Sequence, residues 1–137
     1  MSLVLTTHIF FTFFMAGLCW FVQLAHYPLM RVLPKDNLQF YAQKNISTGY
    51  VAIPAMTVEY ITGIWVIYHQ PDTLMLANGV GMLIIALSTF IYQAPIHLQL
   101  MAGLNEGLLT KLIRTNWIRT ITWTFRSALL AWLMLNL

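Results

Sequence analysis

The chain has 137 residues, 59% of them apolar and only 8% charged, with a net charge of +3 and a mean hydropathy of +0.71. That balance lies outside the range of soluble globular domains, and the length suits a single domain over residues 1–137. The expected setting is a membrane.

The first apolar run, Leu3 to Met30, opens on "MSLVLTTHIFF" with no positive residue ahead of it, so it lacks the charged start of a signal peptide and is expected to stay as a span. Cys19 is the single cysteine and lies inside this run, which excludes an intrachain disulfide and makes it a small buried hydrophobe. A connection from Arg31 to Ser47 follows, where "DNLQFYAQKNI" is partly amphipathic with Asp36 or Asn37 as a helix cap. The second run, Thr48 to Tyr68, is joined to the third, Thr73 to Leu100, by the short "HQPDT", so the two are antiparallel neighbours. The connection Met101 to Thr115 contains "NEGLLTKLIRT", which sets Leu108, Leu109, Leu112 and Ile113 on one face and Lys111 and Arg114 off it. The fourth run is Asn116 to Leu137.

Crossing hydrocarbon takes roughly 20 residues at a helical rise of about 1.5 Å each, and the bilayer forces such segments to be helical because it satisfies no backbone polar group. The expected fold is therefore all-α: an integral membrane four-transmembrane-helix bundle with short interfacial amphipathic helices on the cytoplasmic side. Arg31, Lys35, Lys44, Lys111 and Arg114 all lie in the two long connections. By the positive-inside bias those connections face the cytoplasm, giving a multi-pass protein of a bacterial inner membrane with both termini periplasmic. The positive charge is accounted for by this topology, and no nucleic-acid partner is expected.

The polar residues of the spans fall into stripes. Asn116, Arg119, Thr120, Trp123, Arg126 and Ser127 share one face of the fourth helix, Thr12, Ala16, Cys19, Gln23 and His26 one face of the first, and Thr89, Gln93 and His97 one face of the third. Glu59 shares a face of the second with Ala55, Met56, Thr62 and Gly63. With all four stripes turned inward the bundle has a polar interior, gathered in its cytoplasmic half. His8 and His69 fall near the outer surface and receive no role.

Glu59 and Arg126 are the charges nearest the midplane and are opposite in sign. A charge at the centre of a spanning helix costs about 2.5–3.5 kcal/mol on insertion scales, so the two are expected to pair, either as a structural tie or as part of a site that takes a polar ligand. Arg119 either snorkels to headgroups or lines that site, Asn116 either caps the fourth helix or lines it, and His26, next to Tyr27 and Pro28, is either interfacial or functional. His97 follows Pro95, which removes a backbone donor and suits a cavity wall, and Pro54 is expected to kink the second helix in the same way. Ala77, Gly79, Gly81 and Gly63 permit close helix approach, within the chain or between copies in a homo-oligomer.

Four stretches together, "QLAHYPLM", "VAIPAMTVEYITG", "STFIYQAPIHLQL" and "LIRTNWIRTITWTFRSALL", resemble the anthrone-oxygenase-like family of small four-span membrane proteins, over nearly the whole chain. The most specific part is the pattern of Asn116, Trp117, Arg119 and Thr120. The resemblance implies the four-span fold and a site of His26, Glu59, His97, Asn116, Arg119 and Arg126, with Tyr27 and Gln93 beside them. Fungal members oxidise anthrones to anthraquinones, while most bacterial members are uncharacterised. The chain departs from the pattern in the loop after the first span, where members carry a histidine and "LQFYAQKN" has none.

Read from the residues, the catalytic candidates are His26, Glu59, His97, Asn116, Arg119 and Arg126, with Gln23, Tyr27, Gln93, Thr120 and Trp123 binding a ligand. Three chemistries use them. His26, Glu59 and His97 can supply the facial ligand set of a non-haem iron oxygenase, although Arg119 and Arg126 bring positive charge beside the metal. His26 and His97 can ligate a haem axially with Arg119 near its propionates, and "AIPAM" followed by "ITGIW" is faintly similar to four-span haem proteins of porphyrin oxidation. A cofactor-free oxidation needs only a histidine base, arginines and Asn116 to hold an enolate, and dioxygen. The sequence thus points to an oxidoreductase acting on a small aromatic or quinone-like lipophile, or else to a non-catalytic lipid- or quinone-binding or structural membrane protein.

Overall fold

The computed structural model describes residues 2–34, 37, 40, 46–103 and 105–136. Among these the chain is all helical, in four long helices: α1 (Leu3–Val32), α2 (Ile46–His69), α3 (Thr73–Ala102) and α4 (Glu106–Leu135). The first three are long and apolar enough to cross a membrane. The expected cap at Asp36 and most of the amphipathic stretch after it, with Lys35 and Lys44, lie outside the described residues.

Local chemistry starts the helices where the chain needs them. The Ser2 hydroxyl accepts from Leu5 N at 3.3 Å to open α1. An Asp72 carboxylate oxygen accepts from Met75 N at 2.8 Å to open α3, which turns the chain back after α2 within three residues, Gln70 to Asp72. Asn105 does the same for α4, accepting from Gly107 N at 2.8 Å and Leu108 N at 3.2 Å. This cap corrects one expectation. "NEGLLTKLIRT" is not a separate interfacial helix but the opening of α4, because its one glycine, Gly107, falls in the first turn, no proline follows before Asn116, and Leu109 and Leu112 continue the buried stripe.

α1 and α3 are each interrupted by one π turn, Val22–His26 in α1 and Thr89–Gln93 in α3. Each π turn is followed by a proline, Pro28 or Pro95, whose missing N–H would otherwise break the ladder in mid-helix. Pro54 is accommodated differently, since α2 runs through it without a break.

The helices form a ring in which each has two neighbours. α2 packs on α1 and on the first part of α3, and α4 packs on α1 and along α3, while α1 does not touch α3 and α2 does not touch α4 at the backbone level. Polar and apolar residues are inverted relative to a soluble protein. Phe10, Phe21, Leu24, Ile61, Phe90 and Phe125 are all more than half exposed, whereas His8, Thr12, Glu59, Asn78, Thr120 and Arg126 are fully buried. Three apolar layers stack inside: Leu5, Ile9, Val66, Met75 and Leu130 near the α2–α3 turn, Met15, Cys19, Ala55, Ile85 and Trp123 in the middle, and Tyr27, Met30, Leu100 and Leu112 with their neighbours at the far end.

Glycine decides how close the helices come at the turn end. A Cβ on Gly81 would lie 2.6 Å from Arg126 Cδ, and one on Gly63 would lie 2.7 Å from His8 Cε1. By contrast a Cβ on Gly17 meets nothing within 4 Å. Gly81→Ala is therefore expected to destabilise the detergent-solubilised protein by about 1–3 kcal/mol, the usual cost of overpacking. Gly17→Ala should leave its thermal midpoint unchanged or raised; equal midpoints for the two variants would contradict this packing.

Candidate functional site

The polar interior consists of two separate layers. The one nearer the α2–α3 turn is a closed network built across both diagonals of the bundle. Arg126 Nη1 lies 2.6 Å from Glu59 Oε1, joining α4 to α2, with both side chains wholly buried. This contact is an ion pair without hydrogen-bond alignment; Nη1, Nη2 and Glu59 Oε2 have no aligned hydrogen bond among the described residues. Glu59 Oε1 also accepts from Trp123 Nε1 at 3.2 Å and is within 3.1 Å of the Thr12 hydroxyl.

The second diagonal joins α1 to α3. Arg126 Nε donates to Asn78 Oδ1 at 2.9 Å, which turns the Asn78 amide so that Nδ2 faces His8 Nε2, also at 2.9 Å. His8 Nε2 is then the acceptor, and its proton sits on Nδ1, which donates to the Glu59 carbonyl at 3.0 Å. Each group orients the next around the ring. His8, expected near the outer surface with no role, is instead wholly buried at its centre, because the two missing Cβ atoms of Gly63 and Gly81 leave room for the imidazole and the guanidinium. Asn78 was not singled out at all. The available signals were its polarity inside the run "LMLANGVGML" and the four-residue step from His8 to Thr12, which extends the stripe of α1 outward.

The second layer surrounds a cavity of about 370 Å3. Its polar wall is made by Tyr27, Gln93, His97, Asn116 and Arg119, and its apolar wall includes Met15, Cys19, Ala52, Ile53, Met56 and Leu98. The Tyr27 hydroxyl lies 3.1 Å from His97 Nε2 and 3.3 Å from Gln93 Oε1. The phenolic proton goes to Gln93 Oε1, which leaves the phenolic oxygen to accept from His97 Nε2. Gln93 is held in place by its own donation to the Thr115 hydroxyl at 2.9 Å.

Asn116 and Arg119 differ from these in having capacity left over. Asn116 Nδ2 donates to Gln23 Oε1 at 2.8 Å, and Gln23 Nε2 donates onward to the Ile113 carbonyl at 3.2 Å, so the Asn116 amide is held by α1. Among the described residues its Oδ1, buried on a residue 1% exposed, has no hydrogen-bond partner, and neither has the buried Arg119 Nε. The Arg119 guanidinium lies 5.3 Å from the centroid of the Trp123 ring, a cation–π distance. Asn116 and Arg119, one helical turn apart on α4, border the same cavity.

Trp123 separates the two layers: its N–H reaches Glu59, while its neighbours Met15, Cys19 and Arg119 line the cavity. Of the expected catalytic residues, His97, Asn116 and Arg119 stand on the cavity wall; Glu59 and Arg126 do not. Of the expected binding residues, Tyr27 and Gln93 are on the wall, while Gln23 and Thr120 support Asn116 from behind and Trp123 packs behind Met15, Cys19 and Arg119 without lining the cavity. His26 is half-buried beside Tyr27 with ring centroids 5.7 Å apart, and is not on the wall. His69 is exposed and stacks on Trp65 at 4.0 Å.

This placement does not fit the expected metal ligand set. Glu59 is engaged with Arg126, Trp123 and Thr12 in the other layer from His97, and no group of three or more His, Cys, Asp or Glu among the described residues could hold a metal ion. Nor do His26 and His97 face each other across a space for a haem, since only His97 lines the cavity and the Tyr27 ring lies beside both. No family model, curated protein or solved structure matches the chain.

Removing one member of a buried pair strands the other charge, at about 3–5 kcal/mol, whereas replacing both with apolar groups is often close to neutral. Arg126→Leu is thus expected to cost about that much in thermal unfolding, and the double variant Glu59→Leu with Arg126→Leu to regain more than half. A double variant no more stable than the single would show that the pair is not the dominant tie.

Proposed function

We propose that the chain crosses the membrane four times and that its cavity takes a small aromatic or quinone-like lipophile bearing a hydroxyl or carbonyl group, on which it acts as an oxidoreductase related to the anthrone-oxygenase-like proteins. The observation that carries this reading is a largely apolar cavity of about 370 Å3 on whose wall the polar side chains of Tyr27, Gln93, His97, Asn116 and Arg119 converge. Pockets of a few hundred Å3 with apolar walls and a few convergent polar groups are the usual form of small-molecule sites.

The fourth crossing is α4. Its 30 residues span about 45 Å at about 1.5 Å each, and it turns Ile121, Phe125 and Trp132 outward while burying Arg126. Its polar inner face lowers its average hydropathy without exposing charge to lipid. With the basic connections in the cytoplasm, both termini lie on the periplasmic side of a bacterial inner membrane and the cavity lies in the cytoplasmic half.

In the reaction, the ligand carbonyl accepts from Arg119, and His97, held by Tyr27, removes a proton from the methylene that lies across the central ring from that carbonyl. Arg119 stabilises the enolate so formed. Dioxygen oxidises the enolate; one oxygen atom becomes the new carbonyl of the quinone, and the other leaves as water with the two hydrogens lost from carbon. The engagement of His97 Nε2 by Tyr27 favours a second reading, binding without reaction.

Anthrone in lipid nanodiscs separates the two. The wild type is expected to bind it and to consume dioxygen as anthraquinone appears. Arg119→Leu should lose binding and turnover together, and His97→Ala should keep binding and lose turnover by about 100-fold, within the range of acid–base catalysis. Turnover unchanged in His97→Ala contradicts the proposed base, and binding without dioxygen uptake in the wild type leaves the binding reading.

A further inference from the structure

We propose that the cavity is filled sideways, from the hydrocarbon of the bilayer, through a cleft between α2 and the second half of α3, and that Gly49, Ala52 and Ile53 on α2 with Leu98 on α3 set the girth of the lipophile admitted. This rests on the reading of the cavity as a lipophile site.

The helical hairpin of α2 and α3 is tight at one end and open at the other. Near the turn Gly79 sits under Ile67 and Gly63 under Met82, and the Tyr60 hydroxyl donates to the Met82 carbonyl at 2.6 Å. Beyond the π turn at Thr89–Gln93 and Pro95, features at which helices bend, α3 makes no backbone-level contact with α2. α2 stays on α1 while the second half of α3 stays on α4, so the two walls part.

Among the described residues the α1–α4 and α3–α4 seams and the far end are closed. The α1–α4 seam is closed by the Trp20 and Trp117 rings, 5.6 Å apart, and by the bond from Trp20 Nε1 to the Thr124 hydroxyl at 3.0 Å. Gln93 and Thr115 tie α3 to α4. Met30, Leu100 and Leu112 fill the far end, and Trp123 packs behind Met15 and Cys19 at the other.

On the α2–α3 side the wall residues themselves reach the outside: Ile53 and Leu98 both line the cavity and are 65% and 66% exposed. A residue can do both only where the wall is open. Gly49, Ala52, Ile53 and Met56 follow the spacing of one helix face, and the first two are the smallest side chains on the wall of α2. A Cβ on Gly49 would meet only Ile53 Cδ1, at 3.7 Å, so the opening can be narrowed without displacing backbone. The driving force is the contrast across this opening, because hydrocarbon offers a dissolved hydroxyl or carbonyl no partner and the wall offers Asn116 and Arg119.

The test measures uptake of anthrone and of the narrower 2-naphthol by the full chain in nanodiscs. In the variant with Gly49→Phe and Ala52→Phe, anthrone uptake is expected to slow at least about tenfold while 2-naphthol uptake changes less than about twofold. The widened variant with Ile53→Ala and Leu98→Ala should change anthrone uptake in the opposite direction, which guards against a fold defect in the first. Leu83→Phe, on the outer face of α3 remote from the cleft, should match the wild type in both. Unchanged anthrone uptake in both cleft variants, with Arg119→Leu still abolishing binding, overturns the lateral route and leaves the site intact. A wild type that binds neither probe overturns the site reading and the route with it.

Discussion

The contact on which the rest depends is the ion pair between Glu59 and Arg126, because it is made across a diagonal that the backbones do not close. α2 and α4 have no direct backbone contact, so the pair, with the indole of Trp123, is what joins them. Two charges taken from water are costly unless hydrogen bonds meet their remaining valences. Here the Thr12 hydroxyl and the Trp123 N–H meet those of Glu59 Oε1 and Asn78 meets that of Arg126 Nε, while Glu59 Oε2 and Arg126 Nη2 have no hydrogen bond among the described residues. His8 closes the other diagonal through Asn78. Four helices are thereby locked at one level by side chains whose orientations are mutually determined.

That lock explains why the opposite half can be looser. The glycines draw α2 and α3 together around the network, and past it the two part, leaving a cavity where a tightly packed bundle would have none. The π turns of α1 and α3 place Gln23 and Gln93 at this level. The two helices are built alike: the contacting pairs His8 with Asn78 and Tyr27 with His97 are each separated by 70 residues. One such pair lies in the closed layer and the other beside the cavity, so a shared helix design serves stability at one end and recognition at the other.

Much of this was legible in the sequence. The three most apolar helices followed from length and hydropathy, and the pairing of Glu59 with Arg126 followed from the cost of isolated charges in hydrocarbon. The joint placement of Gln93, His97, Asn116 and Arg119 followed from stripe spacing, whereas the stripe of the first helix ended on His26 and it is Tyr27, one position on past the π turn, that lines the cavity. What was not legible had a common cause. Depth counted along a helix does not say how far a long side chain reaches across it, so His8 was left outside a network that two missing Cβ atoms admit it to. Stripes also show which face is polar without showing that a bulky residue on it, Trp123, divides the interior in two. The opening of α4 at Asn105 was hidden because an amphipathic stretch reads the same whether it lies on a membrane or docks, as Leu109 and Leu112 do, against Met30 and Leu100.

The central claim is that the polar wall at Asn116 and Arg119 receives a lipophile. The most direct test is mass spectrometry of organic extracts from gently purified wild type and Arg119→Leu, compared at equal protein. The account predicts a small lipophile with a hydroxyl or carbonyl group, near one per chain, in the wild type and at least about tenfold less in the variant. Equal amounts in both, or only bulk phospholipid in each, would contradict it.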